Sequence, residues 1–167
     1  MAVAWNLHGS NPTAALGYYW KTGTRRVRPQ FHLYELLRPR LGGQVMATQV
    51  TAPGFAVPQV GNVRAAANVP LLNAAAISRG PGQGLTLLVV NRSFNASTPV
   101  AIRLQNFTPA PEARVITLTS DKVGDHNEER ETTVAPKESR ITVAGPQFSY
   151  TFAPHSFTIM EFGPATH

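Results

Sequence analysis

From Gln44 onward, apolar and polar positions follow the short period of strands, whereas residues 29–41 follow the longer period of a helix. "PVAIRLQNF" sets Val100, Ile102 and Leu104 on one side and Arg103 and Gln105 on the other, as in a half-buried strand. "GLTLLVVNRS" is apolar without a break, which suits a strand covered on both faces. "ARVITLTS", "SRITVAG", "QFSYTF" and "SFTIMEF" follow at short intervals. Their separators, "SRGPGQG", "NRSFNASTP", "NFTPAPE" and "KVGDHNEE", are rich in turn formers. This pattern predicts a mainly β chain: an antiparallel two-sheet β-sandwich, jelly-roll-like, with one N-terminal helix.

The helix is expected in "VRPQFHLYELLRPRLGG", where Phe31, Tyr34 and Leu37 form an apolar stripe widened by Leu33, Leu36 and Leu41. Pro29 suits the first turn, Pro39 ends or distorts the helix, and Gly42–Gly43 is a stop. Ahead of it "MAVAWNLHG" is β-capable and "SNPTAALGYYWKTGTRR" reads as loop. The chain therefore divides into a β/α unit at 1–43 and a sandwich at 44–167.

The stretch 148–162, "FSYTFAPHSFTIMEF", changes parity part-way along. Phe148, Tyr150 and Phe152 are even, whereas the bulky residues after the corner, Phe157 and Ile159, are odd. Pro154 has no N–H for a ladder. Two strands, 147–152 and 156–162, are expected to meet at a tight corner, with both apolar sets facing one core and His155 at the turn tip.

A chain of 167 residues is long enough for one substantial core. It has no Cys, which excludes disulfides and thiolate metal sites. No run reaches the length of a membrane span, and "MAVAWNLHGS" lacks the basic start and apolar core of a signal peptide. The expectation is a soluble chain, with the cytoplasm favoured. The net charge of +6 is concentrated in residues 1–41, where Lys21, Arg25, Arg26, Arg28, Arg38 and Arg40 face Glu35 alone. A basic segment beside a nearly neutral body argues against nucleic acid and for packing on acidic protein surface or plain solvation.

Chemistry is sparse. Five of the nine acids (Asp121, Asp125, Glu128, Glu129 and Glu131) fall in "DKVGDHNEERE", which lacks a calcium-loop pattern and reads as solvated loop. Glu161 reads as an edge position facing water. His8, His32, His126, His155 and His167 have no zinc spacing, and no cofactor motif occurs. His155–Ser156 lacks a third group and an oxyanion hole. No catalytic residue, metal ligand or cofactor is therefore assigned. Trp5, Tyr18, Tyr19 and Trp20 are candidates for stacking on sugars. Arg28, Phe31, Tyr34 and Leu37 are candidates for a domain or oligomer contact, because the apolar, Arg-rich segment 14–41 would self-associate if left bare.

The tail carries a resemblance. Asp125–Asn127, Val134–Pro136, Ile141–Val143 and Pro154–Ser156–Phe157–Thr158 resemble, in order and spacing, the end of the α-L-arabinofuranosidases of glycoside hydrolase family 51. Leu85–Leu87 with Val90–Arg92 look like that family's L-T-L-hydrophobic-V-N-R strand, and "LGGQVMATQVTAPGF" is similar to the start of its C-terminal domain. The likeness spans roughly 28–162, and Glu128–Glu129 stand where the family carries an aromatic after the Asn. It implies a C-terminal sandwich beside a (β/α)₈ barrel that holds both catalytic glutamates, with residues 3–41 as the last β/α element of that barrel. No residue here matches those glutamates. If "VAWNLHG" is the eighth strand, Trp5, Asn6 and His8 would lie near the substrate pocket. The expected partners are the barrel or sister subunits in a homo-oligomer, and arabinose-containing polysaccharide. The rival readings are a free-standing carbohydrate-binding module for arabinan or arabinoxylan, and residual hydrolysis through Glu35 or Glu161.

Overall fold

The computed structural model describes the backbone of residues 8–9, 16–19 and 24–165, and side chains from residue 26 to 165. The N-terminal unit comprises β1 (His8–Gly9), β2 (Leu16–Tyr19), β3 (Thr24–Val27) and α1 (Pro29–Leu37). Ten strands follow. The first five are β4 (Gln44–Met46), β5 (Gly54–Val57), β6 (Ala66–Pro70), β7 (Leu72–Ser78) and β8 (Leu85–Asn91). The rest are β9 (Thr98–Arg103), β10 (Pro109–Leu118), β11 (Pro136–Thr142), β12 (Gln147–Phe152) and β13 (Ser156–Pro164). No helix among the described residues is long and apolar enough to cross a membrane.

The framework is a six-stranded antiparallel sheet in the order β11-β10-β13-β8-β7-β4. The β9–β12 pair forms the opposing layer. Between the layers lie Leu72, Leu87, Val89, Val115, Met160 and Phe162 from the large sheet, against Val100, Ile102, Phe148, Tyr150 and Phe152. Alternation in β9 and β12 produces this directly, since their outward residues are polar or small. Phe148 meets Phe162 across the layers with ring centroids 5.8 Å apart, tilted by 57°. Such tilted aromatic pairs contribute about 1 kcal/mol beyond their burial. The expected mainly β sandwich with one N-terminal helix is the observed fold.

Three expectations need correction. The corner at Ala153–Pro154–His155 does separate two strands, but it does not turn both apolar sets into one core. Met160 and Phe162, with even numbers, face the sandwich interior. Phe157 and Ile159 face the other way, in register with Leu118 and Ile116 of β10 and with Val90 and Leu88 of β8. Thr158, Ile159 and Met160 are all 0% exposed, so β13 is covered on both faces and alternation cannot say which face is the core. For the same reason Glu161 is no edge residue: β13 runs between β10 and β8. Finally, the segment expected as loop before the helix contains β2 and β3, paired antiparallel, with β1 parallel to β2. β2 and β3 are each only four residues long, and neither LGYY nor TRRV alternates apolar with polar positions.

The outer face of the large sheet has its own buried apolar set: Ile77, Ile116, Leu118 and Ile159. Helix α1 lies against β10. It begins at Pro29 and stops before Pro39, as the sequence predicts. The chain then turns through Gly42–Gly43 into β4. A Cβ at Gly43 would lie 2.6 Å from the Ser78 carbonyl oxygen, so β4 can approach β7 only with glycine there.

Candidate functional site

A dense group of polar contacts lies where α1 and the residues after it meet the outer face of the large sheet. Arg40, just after α1, is 7% exposed. Its Nε donates to Glu161 Oε1 at 2.9 Å, and its Nη1 donates to the Leu36 carbonyl at 2.6 Å. Glu161 Oε2 accepts from Arg114 Nη1 at 2.9 Å. Arg114 also forks onto Glu138, with Nε and Nη2 at 2.6 and 2.7 Å from the two carboxylate oxygens. Arg114 stands opposite Arg140 across the strands, and each like charge reaches a diagonal acid instead, Glu138 for Arg114 and Glu112 for Arg140. The fork is the geometry in which a guanidinium binds carboxylate best.

A second contact joins the start of the helix to the loop before β11. Arg28, also 7% exposed, pairs with Glu128, and Arg26 lies 3.8 Å from Glu131. Asn127 is fully buried and satisfies three backbone groups. Its Nδ2 donates to the carbonyls of Val27 at 2.9 Å and Val134 at 2.8 Å, and its Oδ1 accepts from Val134 N–H at 2.8 Å. Arg79 Nη2 donates to the Pro39 carbonyl at 2.8 Å. The loop read as solvated is thus partly a docking element. Two of its acids, Glu128 and Glu131, meet Arg28 and Arg26 of the basic segment.

This arrangement is unsuited to glycoside hydrolysis. A general acid needs a carboxyl held protonated. Hydrogen bonding from Arg114 instead holds the Glu138 carboxyl below its usual range, and Glu138 and Glu161 raise the Arg114 guanidinium above its own. Glu35, on α1, pairs with His32 at 3.2 Å. His155 and Ser156 do not address each other: the two ring nitrogens lie 2.7 and 2.9 Å from the carbonyl oxygens of Phe94 and Ser120, while Ser156 Oγ donates to Ala153. Two depressions are open among the described residues. One, of about 430 Å³, is lined by Arg103, Gln105, Asn106 and Gln147 and contains no acid. The other, of about 250 Å³, holds Asp125 and Glu129 within a single loop, where Asp125 already accepts from the Lys122 N–H. Among the described residues no cluster of His, Asp and Glu is arranged to hold a metal.

Of the candidates read from sequence, Arg28 is consumed inside the chain by Glu128, and Phe31 and Leu37 are half-buried on α1. Tyr34 stands exposed. Tyr18 and Tyr19 lie on β2 opposite Arg25 and Thr24. Their side chains, together with Trp5 and Trp20, fall outside the described residues. The sequence assigned no role to Arg114 and none to Arg40 beyond its charge, placed Asn127 only within a family-like motif, and read Glu161 as an edge position or a rival catalytic acid. The available signal was a lone charge inside each of two apolar strands, "ARVITL" and "FTIMEF".

The family profile described as "Alpha-L-arabinofuranosidase C-terminal domain" matches residues 15–156. The chain is similar to the thermostable family 51 α-L-arabinofuranosidase from Thermotoga petrophila RKU-1, with 27% identity and a TM-score of 0.77, over 90% of this chain and 32% of that one. Against the α-L-arabinofuranosidase from Thermotoga maritima, solved as an arabinose complex, the figures are 26% identity, TM-score 0.76, and 90% and 32% coverage. The arabinofuranosidase from Xanthomonas axonopodis pv. citri shares the fold at 18% identity and a TM-score of 0.70, over 90% of this chain and 29% of that one. The chain spans about a third of the length of these enzymes. The search of curated proteins gave no match.

Proposed function

Because the chain belongs to the α-L-arabinofuranosidase C-terminal domain family, we propose that it works as the non-catalytic accessory sandwich of such an enzyme. In this reading residues 1–43 are the last β/α element of a barrel, packed on a sandwich at 44–167. The domain serves breakdown of arabinose-containing polysaccharide by holding the barrel, or neighbouring subunits, in place. The observation that carries the reading is the Arg40–Glu161–Arg114–Glu138 network, which ties the end of α1 to the centre of the large sheet. A sandwich that bound sugar on its own would need an exposed aromatic platform. Phe148, Tyr150, Phe152 and Phe162 instead point into the core, and the exposed Tyr34, Phe55 and Phe94 belong to three separate segments, α1, β5 and the loop after β8.

The test is direct. Purified chain is incubated with an aryl α-L-arabinofuranoside and, separately, titrated with arabinan and arabinoxylan while Trp fluorescence is followed. The expected outcome is no turnover above background and no saturable change. Turnover that disappears in Glu161→Gln or Glu35→Gln would overturn the non-catalytic role. Saturable binding would favour a free-standing carbohydrate-binding module instead.

A further inference from the structure

His155 occupies the corner between β12 and β13 with a backbone φ of 36°. A non-glycine residue in that left-handed region is strained and persists only where its surroundings over-determine it. Three polar contacts do so here. The His155 N–H donates to the Ser93 carbonyl at 2.7 Å. On the ring, Nδ1 lies 2.7 Å from the Phe94 carbonyl oxygen and Nε2 lies 2.9 Å from that of Ser120. One half-buried side chain thus spans two loops, the one after β8 and the one after β10. A carbonyl oxygen only accepts, so each ring nitrogen has to donate. Neutral imidazole has one N–H: it satisfies one oxygen and turns a lone pair on the other. Imidazolium has two and satisfies both.

We propose that His155 is a proton-operated latch: the doubly protonated ring ties the loop after β8 to the loop after β10, and loss of one proton frees one of them. Each loop keeps a second hold on the corner. Ser93 is held by the His155 N–H, and Thr119 Oγ1 donates to the Pro154 carbonyl at 3.0 Å. Deprotonation therefore loosens this end of the sandwich without opening it. The loop after β10 has a further task, because Asn127, Glu128 and Glu131 on it hold Val27, Arg28 and Arg26. Acid thus stiffens the segment on which the β/α unit is docked. The charged groups nearest along these elements are Arg92, Asp121, Lys122, Asp125 and Glu161. Arg92 donates to the Pro70 carbonyl, Asp125 accepts from the Lys122 N–H, and Glu161 is held by Arg40 and Arg114. Among the described residues the only histidine in an ion pair is His32, so the latch answers to the ring's own proton.

Thermal midpoints of the full chain and of His155→Asn, taken from about pH 5 to about pH 8, where histidine changes charge, test this. Asn tolerates the left-handed backbone, so strain at the corner is common to both chains. The second ring bond exists only in the doubly protonated form, so its contribution is present at the acid end and lost as the pH rises. The midpoint gap is expected to be about 2–4 °C wider at the acid end, the shift one hydrogen bond makes in a domain of this size. A gap of constant width, or one that widens toward alkali, would overturn the proposal. Ring-nitrogen NMR of the parent needs no variant. Both ring N–H protons should be visible in acid, protected from exchange with water, and a ring whose N–H protons exchange freely would overturn the latch. Amides of residues 121–131, corrected for the intrinsic effect of pH, should exchange about 5-fold faster at the alkaline end in the parent and equally at both ends in His155→Asn. Exchange unchanged in the parent, or changed as much in the variant, would also overturn it. None of these readouts involves arabinoside turnover or sugar binding, so a latch that fails leaves the accessory role standing, and the reverse holds too.

Discussion

Asn91 Nδ2 lies 2.8 Å from the carbonyl oxygen of Ala153, so a side chain of β8 in the large sheet grips the corner at which β12 leaves the opposite layer. The same nitrogen reaches Phe152 O at 3.3 Å and Thr98 Oγ1 at 3.2 Å, and Oδ1 accepts from Ser93 N–H at 3.0 Å. Asn91 is 1% exposed. Replacing it by Leu should cost about 2–4 kcal/mol, since each backbone group left unpaired in the interior costs about 1–3 kcal/mol. Urea unfolding followed by Trp fluorescence measures this, and a loss below about 1 kcal/mol would mean the clasp is dispensable.

Thr158 gives the opposite case. Its side chain is 0% exposed and its Oγ1 has no hydrogen-bond partner. A buried hydroxyl without a partner is a standing cost, and Val has nearly the same shape. Thr158→Val should therefore raise stability by about 1 kcal/mol, seen as a higher urea midpoint with an unchanged slope. A lower midpoint would show that the hydroxyl does find a partner in solution.

The two Asn positions also show how far sequence reading reaches. Asn91 and Asn127 were visible as letters in motifs shared with a family, and the strands around them were legible from alternation and turn residues. Their work was not, because a buried amide bonds backbone groups that come from distant strands: Asn91 reaches Ala153, and Asn127 reaches Val27. Pro29 and Pro39 bounded α1 correctly, since proline acts locally. Glu161 was misread as an edge residue because strand order within a sheet is set by pairing across the chain, not by the residues beside it. β13 buries both faces, so its parity carried no information about which side Glu161 joins.

The pairing of Arg40 with Glu161 should respond unequally to loss of either side. Glu161→Gln leaves a buried guanidinium with only neutral acceptors, the amide oxygen and the Leu36 carbonyl, whereas Arg40→Met removes the charge and keeps the apolar stem. Breaking a buried pair from one side costs about 3–5 kcal/mol, while apolar replacement is often neutral. Glu161 is partly exposed, with 27% of its side chain accessible, and it also serves Arg114, so the expected loss for Glu161→Gln is smaller, about 2 kcal/mol. Arg40→Met should lie within about 1 kcal/mol of the parent. The reverse order in chemical denaturation would contradict the burial argument.

Stability should also depend on acid through Glu138. Hydrogen bonding from Arg114 depresses this carboxyl from its ordinary value of 4.5, so the folded chain holds the proton less tightly than the unfolded one. A depressed group contributes stability that is complete above its unfolded pKa and disappears as the pH falls through the folded one. Thermal midpoints of the parent and of Glu138→Gln should therefore differ by a constant amount above pH 4.5 and converge below it. The gap should also shrink in high salt, because both partners are largely exposed. A gap that widens on acidification would mean that Glu138 is stabilised in its protonated form. In that event it would be a better candidate for proton transfer than any acid its surroundings now suggest.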